Sequence, residues 1–244
     1  MKVIRAMVAI LLLTLVLVQG PVAHAKFGNF LKDIKKALGV GQLSDEKIIK
    51  GLKEALQVGT GNVVGLISRL DGYYKNPKIK IFLPPEIQKA ESVLRKVGLA
   101  RQVDQFEQSM NRAAEQAAPK AKVLFLDAIQ KMSFQEARKI LNGGDNEATL
   151  YFKDKTADRL GRAFKPIIHS AMAQVGVTRS YQGIQSRLRQ LPLTRGLQLD
   201  LDQYVTDGAL KGLFALLEEE ERKIRKDPAA RVTDLLKEVF GGDS

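Results

Sequence analysis

The 244-residue chain carries 39 Lys and Arg against 27 Asp and Glu, a formal net charge of +12, and it contains no cysteine. Disulfides and thiolate metal sites therefore play no part in its fold. Only two histidines are present, so histidine-based general-base chemistry and two-histidine metal sites have almost nothing to draw on.

Residues 1–25 have the layout of a secretory signal peptide: basic Lys2 and Arg5, an apolar stretch from Ala6 to Val18, a Gly20-Pro21 break, and small residues at Ala23 and Ala25. The apolar stretch is shorter than the roughly 20 residues needed to span a bilayer. Cleavage is expected between Ala25 and Lys26, with delivery to the periplasm. Losing Lys2 and Arg5 lowers the net charge of +12 by two. An excess of that size favours anionic partners. Export sets nucleic acid aside, and no basic run is interleaved with aromatics for base stacking. Lipid or an anionic polymer of the cell envelope is the expected partner; oligomeric state is left open.

Residues 26–38 place Phe27, Phe30, Leu31, Ile34 and Leu38 on one helical face with lysines around it. This short amphipathic basic helix, tethered through residues 39–43, either docks on the protein's own body or makes a peripheral membrane contact. Residues 44–244 then form a single helical domain. From Ser44 the series Ile48, Leu52, Leu56, Val63, Leu66 and Leu70 runs at helical spacing, and the glycines at 59, 61 and 65 predict a break near Gly59–Gly61. Gly59 to Gly65 is a poor match to a dinucleotide loop, because the preceding segment reads as helix. Lys78–Leu83 and Leu197–Leu201 alternate polar and apolar residues and predict a minor two-stranded β-ribbon.

Pro84-Pro85 opens a helix that Gly98 ends, and a second runs on to Ala117. Pro119 starts a third, apolar on nearly every side, which is expected at the centre of the domain. Ser133 and Glu136 predict a capping box. A long helix over residues 146–175 is expected to kink at Pro166. A short basic helix with Arg179, Arg187 and Arg189 comes next, then a long one from about Leu201 to Lys226, then a closing one over Val232–Phe240. The run Glu218–Glu221 ahead of Arg222, Lys223 and Arg225 reads as a solvated face paired with itself at i,i+4. The fold class is all-α, with about eight or nine helices.

Gly51-Leu52-Lys53-Glu54-Ala55-Leu56, Asn76-Pro77 with Ile79 and Leu83-Pro84, Asn111-Arg112-Ala113-Ala114-Glu115, Asp127-Ala128-Ile129, and Tyr204-Val205-Thr206 with Gly212-Leu213-Phe214 together carry a family resemblance. Across nearly the whole chain beyond the leader, the sequence resembles the bacterial domain of unknown function 4197 family. The resemblance implies an exported, mainly helical single domain and brings no catalytic residue with it.

Among the residues themselves, Asp127 stands out because it interrupts the apolar helix after Pro119, where a lone carboxylate is costly. Arg112, flanked by Asn111 and Glu115 on the preceding helix, is its expected partner. The group is either a buried structural ion pair or the polar floor of an apolar ligand pocket. Asp200, Asp202 and Asp207 lack the glycine and distal glutamate of a calcium loop and read as helix caps. His169 reads as a structural residue on a helix flank. No serine-nucleophile motif occurs, no catalytic residue, metal site or cofactor is assigned, and the many carboxylates include no pair singled out by spacing. The expected function is an exported envelope binding protein for an apolar or amphipathic anionic ligand such as lipid or a wall fragment. The alternatives are a structural or interaction protein of an envelope complex and, third, a carboxylate hydrolase.

Overall fold

The computed structural model describes residues 45–174 and 199–226, together with Tyr181, Gly183, Ile184, Ser186 and Arg187. All of these belong to the unit Asp45–Ser244, which is distinct from Met1–Ser44. The leader, the helix expected over 26–38, the Ser44 cap, most of the basic helix near Arg179–Arg189, Leu197 and the closing helix over Val232–Phe240 lie outside the described residues.

The described part is mostly helical: α1 Asp45–Ser68, α2 Pro85–Leu94, α3 Ala100–Ala117, α4 Lys120–Lys131, α5 Phe134–Asn142, α6 Glu147–Gln174 and α7 Leu201–Lys226. One wide turn, Arg95–Leu99, joins α2 to α3. The described residues form these seven helices, where eight or nine are expected; three expected segments, 26–38, the basic helix near Arg179–Arg189 and Val232–Phe240, lie wholly or largely outside the described residues.

Helix α1 is unbroken through Gly59, Gly61 and Gly65, contrary to the expected break. Its regularity is held from outside, since α1 packs against α3, α4, α5 and α7. Tertiary burial of an amphipathic face outweighs a propensity deficit of about 1 kcal/mol per glycine. The centre of the domain is also not where the hydrophobic pattern puts it. Helix α6 is the element surrounded by α3, α4, α5 and α7, whereas α4 lies on the flank against α1 and α6 with Val123 66% exposed. Buried Phe125 of α4 meets Phe152 of α6 at 4.9 Å and Phe214 of α7 at 6.4 Å. Helix α6 also continues through Pro166.

The Ser133 capping box forms as expected. The Ser133 hydroxyl oxygen accepts from the Glu136 amide at 3.2 Å, and the Ser133 amide donates to the Glu136 carboxylate at 2.9 Å. The Ser133 amide and hydroxyl both donate to the Glu136 carboxylate, at 2.9 Å each, and with Lys155 alongside they lower its pKa from the ordinary carboxylate range to about 2.

No strand occurs among the described residues, so the β-ribbon expectation is corrected. Lys78–Leu83 is irregular backbone, and Leu201 already opens α7. The alternation of Ile79, Ile81 and Leu83 is nonetheless real burial, each of them 5% exposed or less. They lie against α7 where it presents glycine: a Cβ on Gly208 would come within 3.2 Å of Ile81, and one on Gly212 within 2.9 Å of the Tyr73 ring and 3.0 Å of Ile79.

Glycines in open and crowded surroundings should respond oppositely to an added methyl group. Gly65 is exposed in α1 with open space around its would-be Cβ, so Gly65→Ala raises unfolding free energy by about 0.5–1 kcal/mol. Gly212→Ala lowers it by about 1–3 kcal/mol through overpacking. Urea unfolding of both variants checks the opposite signs, and equal shifts would refute the close approach at α7. As for pH, the Glu136 carboxyl titrates lower in the folded state than in the unfolded chain. Its contribution is therefore complete above the ordinary value of 4.5 and is lost as pH falls toward about 2. Glu136→Gln flattens that part of the stability curve, measured as urea midpoint against pH.

Candidate functional site

The segment between α1 and α2 buries Gly72, Tyr73, Ile79, Ile81, Leu83 and Pro84 without being helical, and its buried backbone polar groups need partners. Asp71, in the left-handed region at φ 66°, turns the chain out of α1. Local turns satisfy some of these groups, with the Ile79 and Lys80 amides donating to the Asn76 carbonyl at 3.1 and 2.9 Å. Helix α3 supplies several more. The Tyr73 and Tyr74 amides donate to Glu115 Oε1 at 3.0 and 3.2 Å. The Ile81 amide donates to Asn111 Oδ1 at 2.8 Å, and Asn111 Nδ2 donates back to the Ile81 carbonyl at 2.8 Å. Asn111 is fully buried, and its amide stands where a neighbouring strand's backbone would stand in a sheet. From α7, the Tyr204 hydroxyl donates to the Phe82 and Leu83 carbonyls. The Tyr73 hydroxyl donates to the Ala209 carbonyl at 2.8 Å.

Arg112 sits between two carboxylates. Its Nη1 donates to Glu115 Oε2 at 2.6 Å and its Nη2 to Asp71 Oδ1. Lys75 approaches Asp71 at 2.8 Å. The Lys75 and Arg112 bonds hold the Asp71 carboxyl below the usual carboxylate range. Burial opposes the charge of Arg112, but the bonds to Glu115 and Asp71 more than offset it and raise its pKa. Burial, reinforced by Glu115, pushes the Tyr73 phenol up. At the rim, Lys80 pairs with Glu107 at 2.6 Å and lies 4.8 Å from the Tyr74 ring centre.

The structure thus brings Asn111, Arg112 and Glu115 together and leaves Asp127 out. Asp127 is a quarter exposed and bonds Arg159 of α6 at 2.7 Å and Lys131 at 2.8 Å, so its expected pairing with Arg112 is corrected. The Lys131 and Arg159 bonds lower its pKa. The physical reason is placement: α4 lies on the flank, which turns Asp127 toward α6 and away from the Arg112 cluster.

The glutamate run that the sequence presents as a solvated face hides a second buried carboxylate. The i,i+4 pairs do form, Glu218 with Arg222 at 2.7 Å, Glu219 with Lys223 at 3.8 Å and Glu221 with Arg225 at 2.8 Å. Glu221, however, is 9% exposed and accepts from the Ala148 amide at 2.9 Å and the Thr149 amide and hydroxyl at 2.8 Å each. It therefore caps the N-terminus of α6 from α7, where a negative charge is favoured. Arg225 extends the link to the Ile140 carbonyl at the end of α5, 2.8 Å away. Glu219 and Glu220 are spent likewise, on Lys78 and on Asn62.

Around this clamp, Leu52, Leu56, Ile140, Phe152, Leu217 and Ile224 line an apolar cavity of about 30 Å³. That is room for about one water molecule. His169 bonds Asp202 at 2.7 Å on the surface, and Asp200 caps α7 by accepting from the Gln203 amide at 2.9 Å. Asp202 and Asp207 accept from side chains instead of capping, the latter from Gln203 at 2.8 Å. No cluster of metal-ligating side chains occurs among the described residues.

With this geometry in place, the family comparison is decisive: the model described as Protein of unknown function (DUF4197) matches residues 42–241. The chain belongs to that family. No curated protein and no solved structure matches it. In this DUF4197 chain the match spans α1 through α7 and so includes both clamps.

The Arg112 cluster makes a testable ordering. Arg112→Gln leaves the Glu115 carboxylate buried without its cation and lowers unfolding free energy by about 2–4 kcal/mol. Asn111→Ala, which strands the Ile81 amide and carbonyl, costs a similar amount. Asp127→Asn, at a partly exposed pair, leaves the urea midpoint within error. The reverse ordering of Asp127 and Arg112 would refute the assignment.

Proposed function

We propose that the protein is an exported, non-enzymatic component of the bacterial envelope that binds an amphipathic or anionic envelope constituent, lipid or wall fragment, on its outer surface. The observation that carries this reading is how its charges are spent. Most carboxylates of the described residues are engaged in ion pairs, among them Asp71, Glu107, Glu115, Asp127, Glu219 and Glu221. Exposed Lys89, Lys96, Arg101, Lys120, Lys122 and Arg162 have no ion pair or hydrogen bond from their side chains among the described residues. A basic surface of that kind attracts anions at long range.

Two further features favour contact at the surface over an internal ligand chamber. The apolar cavity beside Glu221 has no room for an acyl chain, and the polar groups that sequence marks as a pocket floor are committed to backbone, to one another or, for Asp127, to Arg159 and Lys131. Within that cluster Asp71 and Glu115 converge on Arg112, whose guanidinium bonds both carboxylates. Among the described residues no helix is long and apolar enough to cross a membrane, so contact with lipid here is peripheral. A role as an interaction protein of an envelope complex draws on the same surface. It is separated from ligand binding by crosslinking in the cell, which then captures a protein partner.

The test begins with fractionation of the producing cell and the N-terminal sequence of the recovered protein. Lys26 as the first residue, in the envelope fraction, is expected. The recovered protein then binds vesicles containing phosphatidylglycerol or soluble anionic wall polymer, with affinity falling as salt rises. A cytosolic protein beginning at Met1, or one that binds none of these at low salt, would overturn the reading.

A further inference from the structure

The wide turn Arg95–Leu99 between α2 and α3 contains no buried residue, and it packs chiefly on the two helices it joins. Gly98, at φ 86°, lets the chain fold back there. Two valines stand out at this tip, Val93 at 43% and Val97 at 55% exposed. Lys89, Val93 and Lys96 are spaced to share one face of the helix, which places cations on both sides of the apolar side chain.

The acidic residues nearby cancel only part of this charge. Arg95 takes up Asp104 at 2.7 Å and Glu91 at 2.9 Å, tying α2 to α3. Lys89, Lys96 and Arg101 are exposed and have no partner among the described residues. Glu86, in the first turn of α2, stands i,i+3 to Lys89 without an ion pair between them and lies about 15 Å from Lys96 at about 1.5 Å of rise per residue. The outcome is a cationic tip around two exposed aliphatic side chains.

From this we infer that the α2–α3 tip is a membrane-contact element that seats in an anionic bilayer surface, with Lys89, Lys96 and Arg101 on lipid phosphates and Val93 and Val97 in the interfacial layer. The inference rests on the envelope-binding reading and names the surface through which it acts. Charge alone fits any polyanion, but a soluble polymer offers the valines no apolar layer to enter, whereas a bilayer interface offers both. Two valines and three cations give reversible attachment, short of the anchoring that a spanning helix or paired lipid chains provide.

The chain contains no tryptophan, which makes the seating directly readable. In the protein as the cell processes it, Val97→Trp is expected to show a blue-shifted emission on adding phosphatidylglycerol vesicles and no shift with phosphatidylcholine vesicles. Leu150→Trp, at another exposed aliphatic position, 50% exposed, is expected to stay unshifted with both. Vesicle affinity falls about tenfold or more in Lys89→Glu with Lys96→Glu. It falls about tenfold in Val93→Asp with Val97→Asp, and neither pair moves the urea midpoint. Vesicle binding with Val97→Trp unshifted and both pairs at full affinity would overturn the tip and leave envelope binding standing. Binding to soluble wall polymer but not to vesicles would also overturn the tip alone. Binding to neither overturns both.

Discussion

The fold depends on how α3 handles a buried stretch of chain that is neither helix nor strand. A helical domain hides its backbone polar groups inside its helices, and a connection that runs through the interior loses that solution. Here the connection from Asp71 to Leu83 passes between α3 and α7 with Tyr73, Ile79, Ile81 and Leu83 buried. Asn111 and Glu115 restore its hydrogen bonds, and Gly208 and Gly212 make the room. Each of these is a single residue type doing what no other does as well. A carboxamide both accepts from and donates to one peptide unit, a carboxylate oxygen accepts from two successive amides, and glycine admits a side chain against a helix backbone.

Helix termini are treated the same way. The N-terminus of α6 begins with free amides that point inward, and Glu221 meets two of them across the domain. Because Arg225 on the same helix also reaches the last turn of α5, α7 holds the end of one helix and the start of the next in fixed relation. Removing such a carboxylate would strand the Ala148 and Thr149 amides and take the counter-charge from Arg225, which is why buried pairs of this kind cost far more to break than they contribute when formed.

These two clamps also explain which features are legible in the sequence and which are not. Helix positions from α2 to α7 are legible because prolines, Gly98, the Ser133 box and apolar spacing are local signals, and the described ends fall close to them. The unbroken α1 is not, since glycine propensity is local but the packing that overrides it is not. The alternation at Ile79, Ile81 and Leu83 correctly marks burial yet predicts a strand partner, and only tertiary structure reveals that the partner is the side chain of Asn111, 30 residues on. Asn111, Arg112 and Glu115 are singled out only as the expected partners of Asp127, the charge that interrupts an apolar helix. Their true counterpart, the Asp71–Tyr74 turn, carries no signal linking it to α3. Glu221 is hidden inside a run of four glutamates whose i,i+4 pairs are real, and nothing in the spacing separates the one that turns inward.

The same economy shapes the surface. Of the charged groups, carboxylates are the ones that can accept from backbone amides, so a fold that must satisfy buried amides and helix starts draws on its acids first. Glu115, Glu136 and Glu221 are spent on amides, and Asp71, Glu107 and Asp127 on the cations that flank them. A lysine or arginine reaching outward has no comparable internal demand on it, because carbonyl groups in helices are already bonded. Pairing uses up cations and acids alike, so the excess of cations in the composition remains on the surface of the folded protein. The α2–α3 tip is a product of that logic: Arg95 takes both local acids to fix the hairpin, and the remaining cations beside Val93 and Val97 face outward.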